Sequence, residues 1–261
     1  MSIDNDGPLR IGERINPSGR PGLQAALAAG DYSALVAEAV SQARQGAQAL
    51  DVNVAMPGID EPEALLRAVA QIQKAVSAPL VIDSANPEAL EAALDAYKGC
   101  PILNSIPGRD ADMMKLFPLA KKNNATVICM AIDERGVPKT AADRLIIARK
   151  LLSAALAHGL TKEDLFIDCV ALPIAHQPEQ RDEALRALER VKRELGLKTI
   201  LGISNISYGL PNREAINAEF SVAALAAGLD AAIYNPAQES VARIIVGRGP
   251  QRQPTRSREE A

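Results

Sequence analysis

The chain has 261 residues and a formal net charge of −3 at pH 7, which excludes the basic surface that most nucleic-acid-binding domains present. Aromatic residues make up only 3% and tryptophan is absent, so stacking platforms for bases are not expected. Two histidines and three cysteines leave little for a metal site or a disulfide framework. No signal-peptide core and no apolar run of ~20 residues is present, so we expect a cytoplasmic protein with neither nucleic acid nor a membrane as partner.

Short apolar runs rich in Val, Ile and Leu alternate along the chain with longer stretches of helical periodicity. The runs predict strands that are buried on both faces. Eight strands are predicted, at 10–15, 49–54, 79–83, 101–106, 125–132, 165–169, 199–204 and 230–234. The stretches between them predict amphipathic helices at 33–48, 61–77, 87–96, 111–122, 140–157, 179–195, 212–227 and 239–246. Pro87 marks one helix start, and Gly159, Gly196 and Gly228 mark helix ends.

Eight strand–helix units in one chain predict an α/β fold of the TIM (β/α)₈ barrel type, as a single domain over residues 1–246. A doubly wound sheet is the alternative, but such sheets often carry a Gly-rich phosphate loop after the first strand. Residues 13–19 do not match GxGxxG, and GxxxxGK[ST] is absent from the chain. Residues 247–261 are polar and Arg-rich, which predicts a disordered tail.

Polar side chains follow nearly every predicted strand, at the end of a barrel where functional residues collect. They are Glu13, Asn16, Asp51, Asn53, Asp83, Asn86, Asn104, Ser105, Asp133, Asp168, Asn205 and Asn235. Asn86, Asp133 and Asn235 are assigned to helix caps or Asx turns. Asp83 and Asp168 directly follow apolar strands, where an acid is costly without a partner, and so are assigned to function.

This set is rich in hydrogen-bonding groups and poor in nucleophiles, which suits a flat heterocycle such as a pterin or purine. A guanidine-like edge would pair with one carboxylate, and Asp83 and Asp168 are the candidates. No cluster of Lys and Arg indicates a phosphate-bound substrate. His158 is assigned to a helix C-terminus, whereas His176 lies in the loop after the sixth strand and stays open. Cys129 and Cys169 are assigned to the core, so no bound metal is expected.

Six strings in order along the chain resemble one family. They are GERINPSG at 12–19, LDVNV at 50–54, VIDS at 81–84, LNS at 103–105, GISNIS at 202–207 and GLDAAI at 228–233. Together they resemble the methyltetrahydrofolate:corrinoid protein methyltransferases and the related folate module of cobalamin-dependent methionine synthase. The resemblance covers roughly residues 10–246.

The resemblance implies a homodimeric barrel that binds tetrahydrofolate or methyltetrahydrofolate at the strand ends. The predicted barrel accounts for nearly all 261 residues, so the corrinoid and its cobalt would be supplied by a separate corrinoid protein. Asn205 would lie near the methyl-bearing nitrogen as the catalytic residue. The implied pterin-binding residues are Glu13, Asp51, Asn53, Asp83, Asn104, Asp168 and Asn205, with Tyr208, Arg213 and Ile233 at the corrinoid-facing rim.

Two alternatives stay open, namely a dihydropteroate synthase and a pterin-binding protein without catalysis. The synthases typically carry a Ser-Arg-Lys string after the seventh strand, whereas this chain has Ser-Asn-Ile-Ser at 204–207 and no lysine there. The departure favours methyl transfer. The direction of transfer is not predicted, because one site serves both directions.

Overall fold

The structure, a computed structural model, describes residues 7–247, and it confirms the predicted barrel. Eight parallel strands pair in chain order, and the eighth closes the sheet onto the first. They are β1 (Leu9–Ile15), β2 (Ala49–Val52), β3 (Leu80–Asp83), β4 (Ile102–Pro107), β5 (Thr126–Met130), β6 (Leu165–Asp168), β7 (Lys198–Gly202) and β8 (Ala231–Tyr234). The predicted tail lies outside the described residues, apart from Gly247, which ends the last helix.

Helices connect the strands around the outside of the barrel. They are α1 (Pro21–Ala28), α2 (Ser33–Arg44), α3 (Glu61–Ala75), α4 (Pro87–Ala96), α5 (Asp110–Lys122), α6 (Ala141–Ala157), α7 (Gln180–Arg190), α8 (Arg213–Ala226) and α9 (Glu239–Gly247). A π turn, Val191–Leu195, extends α7, and 3₁₀ turns cover Lys162–Asp164 and Ile203–Ser207. No helix among residues 7–247 is both long and apolar enough to cross a membrane.

Alternate strand residues pack into two separate cores. One set fills the barrel interior. The other set points outward and packs against the apolar faces of the surrounding helices. Because both faces are buried, each strand is a nearly continuous apolar run, which is why the sequence pattern located all eight.

The structure confirms residues that the sequence predicts at the start of one helix and at the end of another. Asn86 accepts a hydrogen bond from the Glu88 amide at 2.9 Å, directly before Pro87 begins α4. His158 is the C-terminal cap residue of α6, and Gly159 follows it with φ +78°. The left-handed backbone at this position is one that glycine adopts without steric cost.

The structure differs from the prediction at several boundaries. Helix α1 was not predicted, because it is only eight residues long and no side chain caps its first turn. The predicted helix 33–48 ends instead at Arg44, and Ala47 and Gln48 already lead into β2. The predicted strand 199–204 is two residues too long, because the chain coils into a 3₁₀ turn at Ile203.

Candidate functional site

The carboxyl ends of the eight strands form a polar layer at the mouth of the barrel. The apolar interior below it contains Ile11, Ala49, Val81, Ile102, Ile128, Phe166, Ile200 and Ala231, one residue from each strand. Because strand side chains alternate, the residue two positions further along points the same way. These mouth residues are Glu13, Asp51, Asp83, Asn104, Met130, Asp168, Gly202 and Ile233. All except Asp51 are partly accessible, so they form the floor of an open site.

Two amide–carboxyl pairs occupy one side of this floor. Asn53 Nδ2 donates to Asp83 Oδ2 at 3.0 Å, and Asn104 Nδ2 donates to Asp51 Oδ1 at 3.0 Å. Asp83 and Asn104 are neighbours in the β3–β4 register, which places their side chains next to each other. The structure therefore brings four predicted pterin-binding residues into one hydrogen-bonded group.

The two carboxyl groups of this group differ in how readily they ionise. Burial raises the pKa of Asp83 to about 6, against the hydrogen bond from Asn53. Burial and the neighbouring Asp83 charge together raise the pKa of Asp51 well above its ordinary value. With a pKa of about 6, Asp83 is ionised at neutral pH. Asp83 is thus a charged acceptor at the floor of the site.

Asp168 lies on another side of the mouth, next to Met130 in the β5–β6 register. Its Oδ1 accepts from the Val170 amide at 2.7 Å, which fixes the side chain. Burial raises the pKa of Asp168 to about 6, opposed by the hydrogen bond from Val170 and the charge of Arg144. At neutral pH it is a second charged acceptor facing the same space.

Glu13 joins the first strand to the loop after the seventh. Its Oε1 accepts from Ser204 Oγ at 2.6 Å. Burial raises the pKa of Glu13, opposed by the bond from Ser204 and the charge of Arg213. Glu13 therefore supports the residue that precedes Asn205.

The Asn205 turn, which we define as Ile203–Ser207, is held from below and from α8. Arg213 Nη2 donates to the Ser204 carbonyl at 2.8 Å, and Arg213 Nε donates to Ser207 Oγ at 3.0 Å. The Asn205 side chain itself is exposed and lies over Gly202. A Cβ on Gly202 would be only 2.9 Å from Asn205 Nδ2, so the absent side chain leaves room for the carboxamide.

The rim beside this turn is aromatic and cationic. Tyr208 is 64% exposed, and the Arg213 guanidinium carbon lies 5.9 Å from the centroid of its ring. A cation over an aromatic face is a favourable electrostatic contact. Ile233 lies on the floor next to Gly202, so the three predicted rim residues follow or flank the Asn205 turn.

The other candidates lie outside the floor. His176 is exposed in the loop after β6, and His158 stacks on Phe117 with ring centroids 6.1 Å apart. Cys129 and Cys169 are buried in the core between sheet and helices, as predicted. Among residues 7–247, no group of three or more His, Cys, Asp or Glu could hold a metal ion.

Sequence reasoning missed Met130 and Gly202 as floor residues, because neither is polar. Once the structure shows which strand residues point into the barrel, Met130 and Gly202 are found two positions after the interior residues of β5 and β7. A cavity of about 540 Å³ lies at the opposite end of the barrel, beside α3 and α4 and around Tyr97, and contains none of the predicted site residues.

Residues 12–235 match the family of pterin binding enzymes. The chain belongs to this family. The match begins within β1, ends just after β8 and includes every residue of the floor, so the family resemblance predicted from the sequence strings is confirmed.

The chain is also similar to two proteins of known name. It is 31% identical over 240 residues to the methionine synthase of Mycobacterium tuberculosis, covering 87% of this chain and 20% of that protein. It is 28% identical over 239 residues to the methylcorrinoid:tetrahydrofolate methyltransferase of Eubacterium limosum, covering 90% of this chain and 88% of that protein. The chain thus spans about a fifth of the methionine synthase and most of the methyltransferase.

Solved structures of dihydropteroate synthases share the fold. The chain is similar to the Yersinia pestis enzyme (TM-score 0.69, 15% identity, 94% of each chain covered). It is also similar to the Coxiella burnetii enzyme in complex with pteroic acid (TM-score 0.66, 16% identity, 92% and 91% covered). At these identities the likeness concerns the barrel alone.

Proposed function

We propose that the protein transfers a methyl group between nitrogen-5 of tetrahydrofolate and the cobalt of a corrinoid carried by a separate protein. The name of the Eubacterium limosum relative, which is matched over 88% of its length, supports this reaction and this division of labour. The methionine synthase match supports a folate-binding role for the barrel. Either direction of transfer is compatible with the same site, by microscopic reversibility.

The floor of the barrel is proposed to bind the pterin ring. The pterin presents a guanidine-like edge with two parallel N–H donors, which one carboxylate accepts in the way it accepts arginine. Asp83 and Asp168, both with a pKa of about 6, supply such carboxylates at neutral pH. Asn104 donates and accepts at the ring edge and is held by Asp51, while Asn53 holds Asp83. Glu13 accepts from Ser204 and so supports the loop that carries Asn205.

Asn205 is proposed to act on nitrogen-5. As the carbon–nitrogen bond breaks, its electron pair stays on nitrogen-5, which takes a proton from solvent water. The Asn205 carboxamide oxygen accepts a hydrogen bond from that N–H, and the bond strengthens as charge develops, so it stabilises the transition state more than the bound substrate. The corrinoid cobalt supplies the nucleophile or, in the reverse direction, the methyl group.

The rim is proposed to face the corrinoid protein. Tyr208 and Arg213 form an exposed pair beside Asn205, and Ile233 lies on the floor next to Gly202. A corrinoid approaching from this side meets nitrogen-5 above Asn205. A homodimer is proposed on the sequence resemblance.

One observation favours methyl transfer over pteroate synthesis, which the shared fold also allows. The residue over Gly202 is an asparagine, and residues 203–207 contain no lysine, unlike the string typical of dihydropteroate synthases. The oxygen of a carboxamide can accept a hydrogen bond from a nitrogen that gains a proton, as nitrogen-5 does in methyl transfer.

The test mixes the protein with methyltetrahydrofolate and cob(I)alamin under anaerobic conditions and follows methylcobalamin by absorbance. We expect methylcobalamin to form and no pteroate from p-aminobenzoate and a dihydropterin diphosphate. Pteroate formation without methylcobalamin supports the synthase instead. Folate binding with neither activity leaves a binding protein.

A further inference from the structure

Arg144 on α6 is a fully buried arginine below the loop that carries Asp168. Its guanidinium donates to the carbonyls of Pro138 at 3.0 Å, Cys169 at 2.7 Å and Val170 at 3.0 Å, and to Gln180 Oε1 at 2.6 Å. No ion pair within residues 7–247 includes Arg144. A buried cation without a carboxylate partner is costly, so these four hydrogen bonds must satisfy the guanidinium in its place.

The loop that Arg144 holds has an unusual backbone. Val170 has φ +61°, in the left-handed region that a β-branched residue rarely adopts. A residue held there costs roughly 1–3 kcal/mol and persists only where its surroundings over-determine it. The Val170 amide donates to Asp168 Oδ1, while its carbonyl accepts from Arg144. The strained residue thus links the arginine to the carboxylate.

We propose that Arg144 is a positioning residue that fixes the Asp168 turn, defined as residues 168–170, and holds a positive charge behind the Asp168 carboxyl group, which accepts from the substrate. The part that concerns the substrate rests on the proposed binding of a pterin by Asp168. Arg144 touches no substrate, because α6 and the Asp168 turn bury it away from the mouth.

The charges around the turn support this role. Burial raises the pKa of Asp168, and the Val170 hydrogen bond and then the Arg144 charge oppose that rise. Cys169 and Glu183 are the other titratable groups facing Arg144. Burial raises the pKa of the Cys169 thiol. The Glu183 carboxylate accepts a hydrogen bond from the Ala141 amide at 2.6 Å. Burial lowers the pKa of Arg144, yet a guanidinium remains protonated at neutral pH.

The first experiment follows the Asp168 carboxyl directly by NMR in protein labelled with ¹³C at aspartate Cγ, with Asp168→Asn providing the assignment. We expect Arg144→Met to raise the titration midpoint of Asp168 by about one pH unit or more, because the opposing charge is gone. Arg144→Lys keeps the charge and is expected to stay near the wild-type midpoint. Leu151→Ala is the control, because it leaves a cavity on the same helix without touching the turn.

The second experiment separates geometry from charge. Replacing Val170 by glycine removes the left-handed strain, so Val170→Gly is expected to recover thermal stability in an Arg144→Met protein. It is not expected to restore the Asp168 midpoint, because glycine supplies no charge. This double variant also keeps the test available if Arg144→Met alone folds poorly.

The third measurement is the dissociation constant of tetrahydrofolate against pH. We expect the loss of affinity at low pH to begin about one unit higher in Arg144→Met than in Leu151→Ala. An unchanged Asp168 midpoint in Arg144→Met overturns the inference, as does a Lys variant that behaves like the Met variant. A shifted midpoint in a protein that never binds the folate supports the role of Arg144 and contradicts the proposed function instead.

Discussion

At the mouth of the barrel, burial opposes the ionisation of two carboxyl groups, those of Asp83 and Asp168. Asp83 and Asp168 each have a pKa of about 6, because burial costs more than their hydrogen bonds return. Raised carboxyl pKa values of this kind cluster at functional sites. Asp83 and Asp168 were predicted from the sequence because each follows an apolar strand. Arg144, which opposes the shift at Asp168, gave no such signal, because its partners come from distant loops.

Asp168→Asn should make the protein more stable at pH 8. The pKa of Asp168 is raised from 3.8 to about 6 on folding, so its contribution to stability is full below pH 3.8 and is lost as pH rises through 6. A neutral side chain avoids that loss, which amounts to about 2–3 kcal/mol above pH 7. Chemical denaturation should show this gain at pH 8 and little difference at pH 4. A variant less stable than wild type at pH 8 would contradict the buried-charge account.

Asp83→Ala should weaken folate binding more than turnover. The loss of a hydrogen bond to a charged group costs about 1.5–3 kcal/mol, which is roughly 10- to 100-fold in the dissociation constant. Turnover at saturating folate should change only a few-fold. Asn86→Ala is the matched control, since it removes a helix cap three residues away and leaves the floor intact. An unchanged dissociation constant in Asp83→Ala removes this residue from the site.

Gly202→Ala should fold and yet lose activity. The new Cβ would lie 2.9 Å from Asn205 Nδ2, the far end of a short side chain that moves aside more easily than backbone. Displacing the carboxamide removes its hydrogen bond in the transition state, so kcat should fall at least tenfold with little change in melting temperature. Wild-type kcat in this variant would show that Asn205 does not act from the position over Gly202.

Among the elements, the strands were the easiest to predict and the loops the hardest. The eight strands are apolar on both faces, so the pattern located them but not their ends. Side chains of a strand point alternately into the barrel and toward the helices, and a continuous apolar run does not reveal which residues point inward. The Asn205 turn, α1 and the Asp168 turn follow no periodic pattern, and their geometry depends on contacts such as Arg213 with Ser204.

The two ends of the barrel should respond differently to mutation. At the end of the barrel opposite the mouth, Asp230 accepts from the Thr199 amide at 2.8 Å and from Lys192 Nζ at 2.6 Å, which ties β7 to the π turn after α7. Asp230→Ala leaves the Thr199 amide without this acceptor and should cost about 1–3 kcal/mol of stability. A lower melting temperature with unchanged kcat and KM is expected. A tenfold fall in kcat would mean that the two ends are not independent.

As a whole, the molecule combines a rigid apolar barrel with one polar mouth. The fold was predictable because eight repeating units left few alternatives, and the family resemblance followed from short strings at the strand ends. The arrangement of the site was only partly predictable. The order of the strands brought Asp51, Asp83 and Asn104 together, whereas the positions of Asn205 and Arg144 depend on three-dimensional contacts.

The central claim is that this mouth transfers a methyl group with Asn205 acting on nitrogen-5. The most direct test is the anaerobic rate of methylcobalamin formation at saturating methyltetrahydrofolate, measured for wild type and Asn205→Ala together with the folate dissociation constant. The account predicts turnover by wild type and a loss of about 10²-fold in Asn205→Ala, with binding changed only a few-fold. No methylcobalamin from wild type, or full turnover by Asn205→Ala, would contradict it.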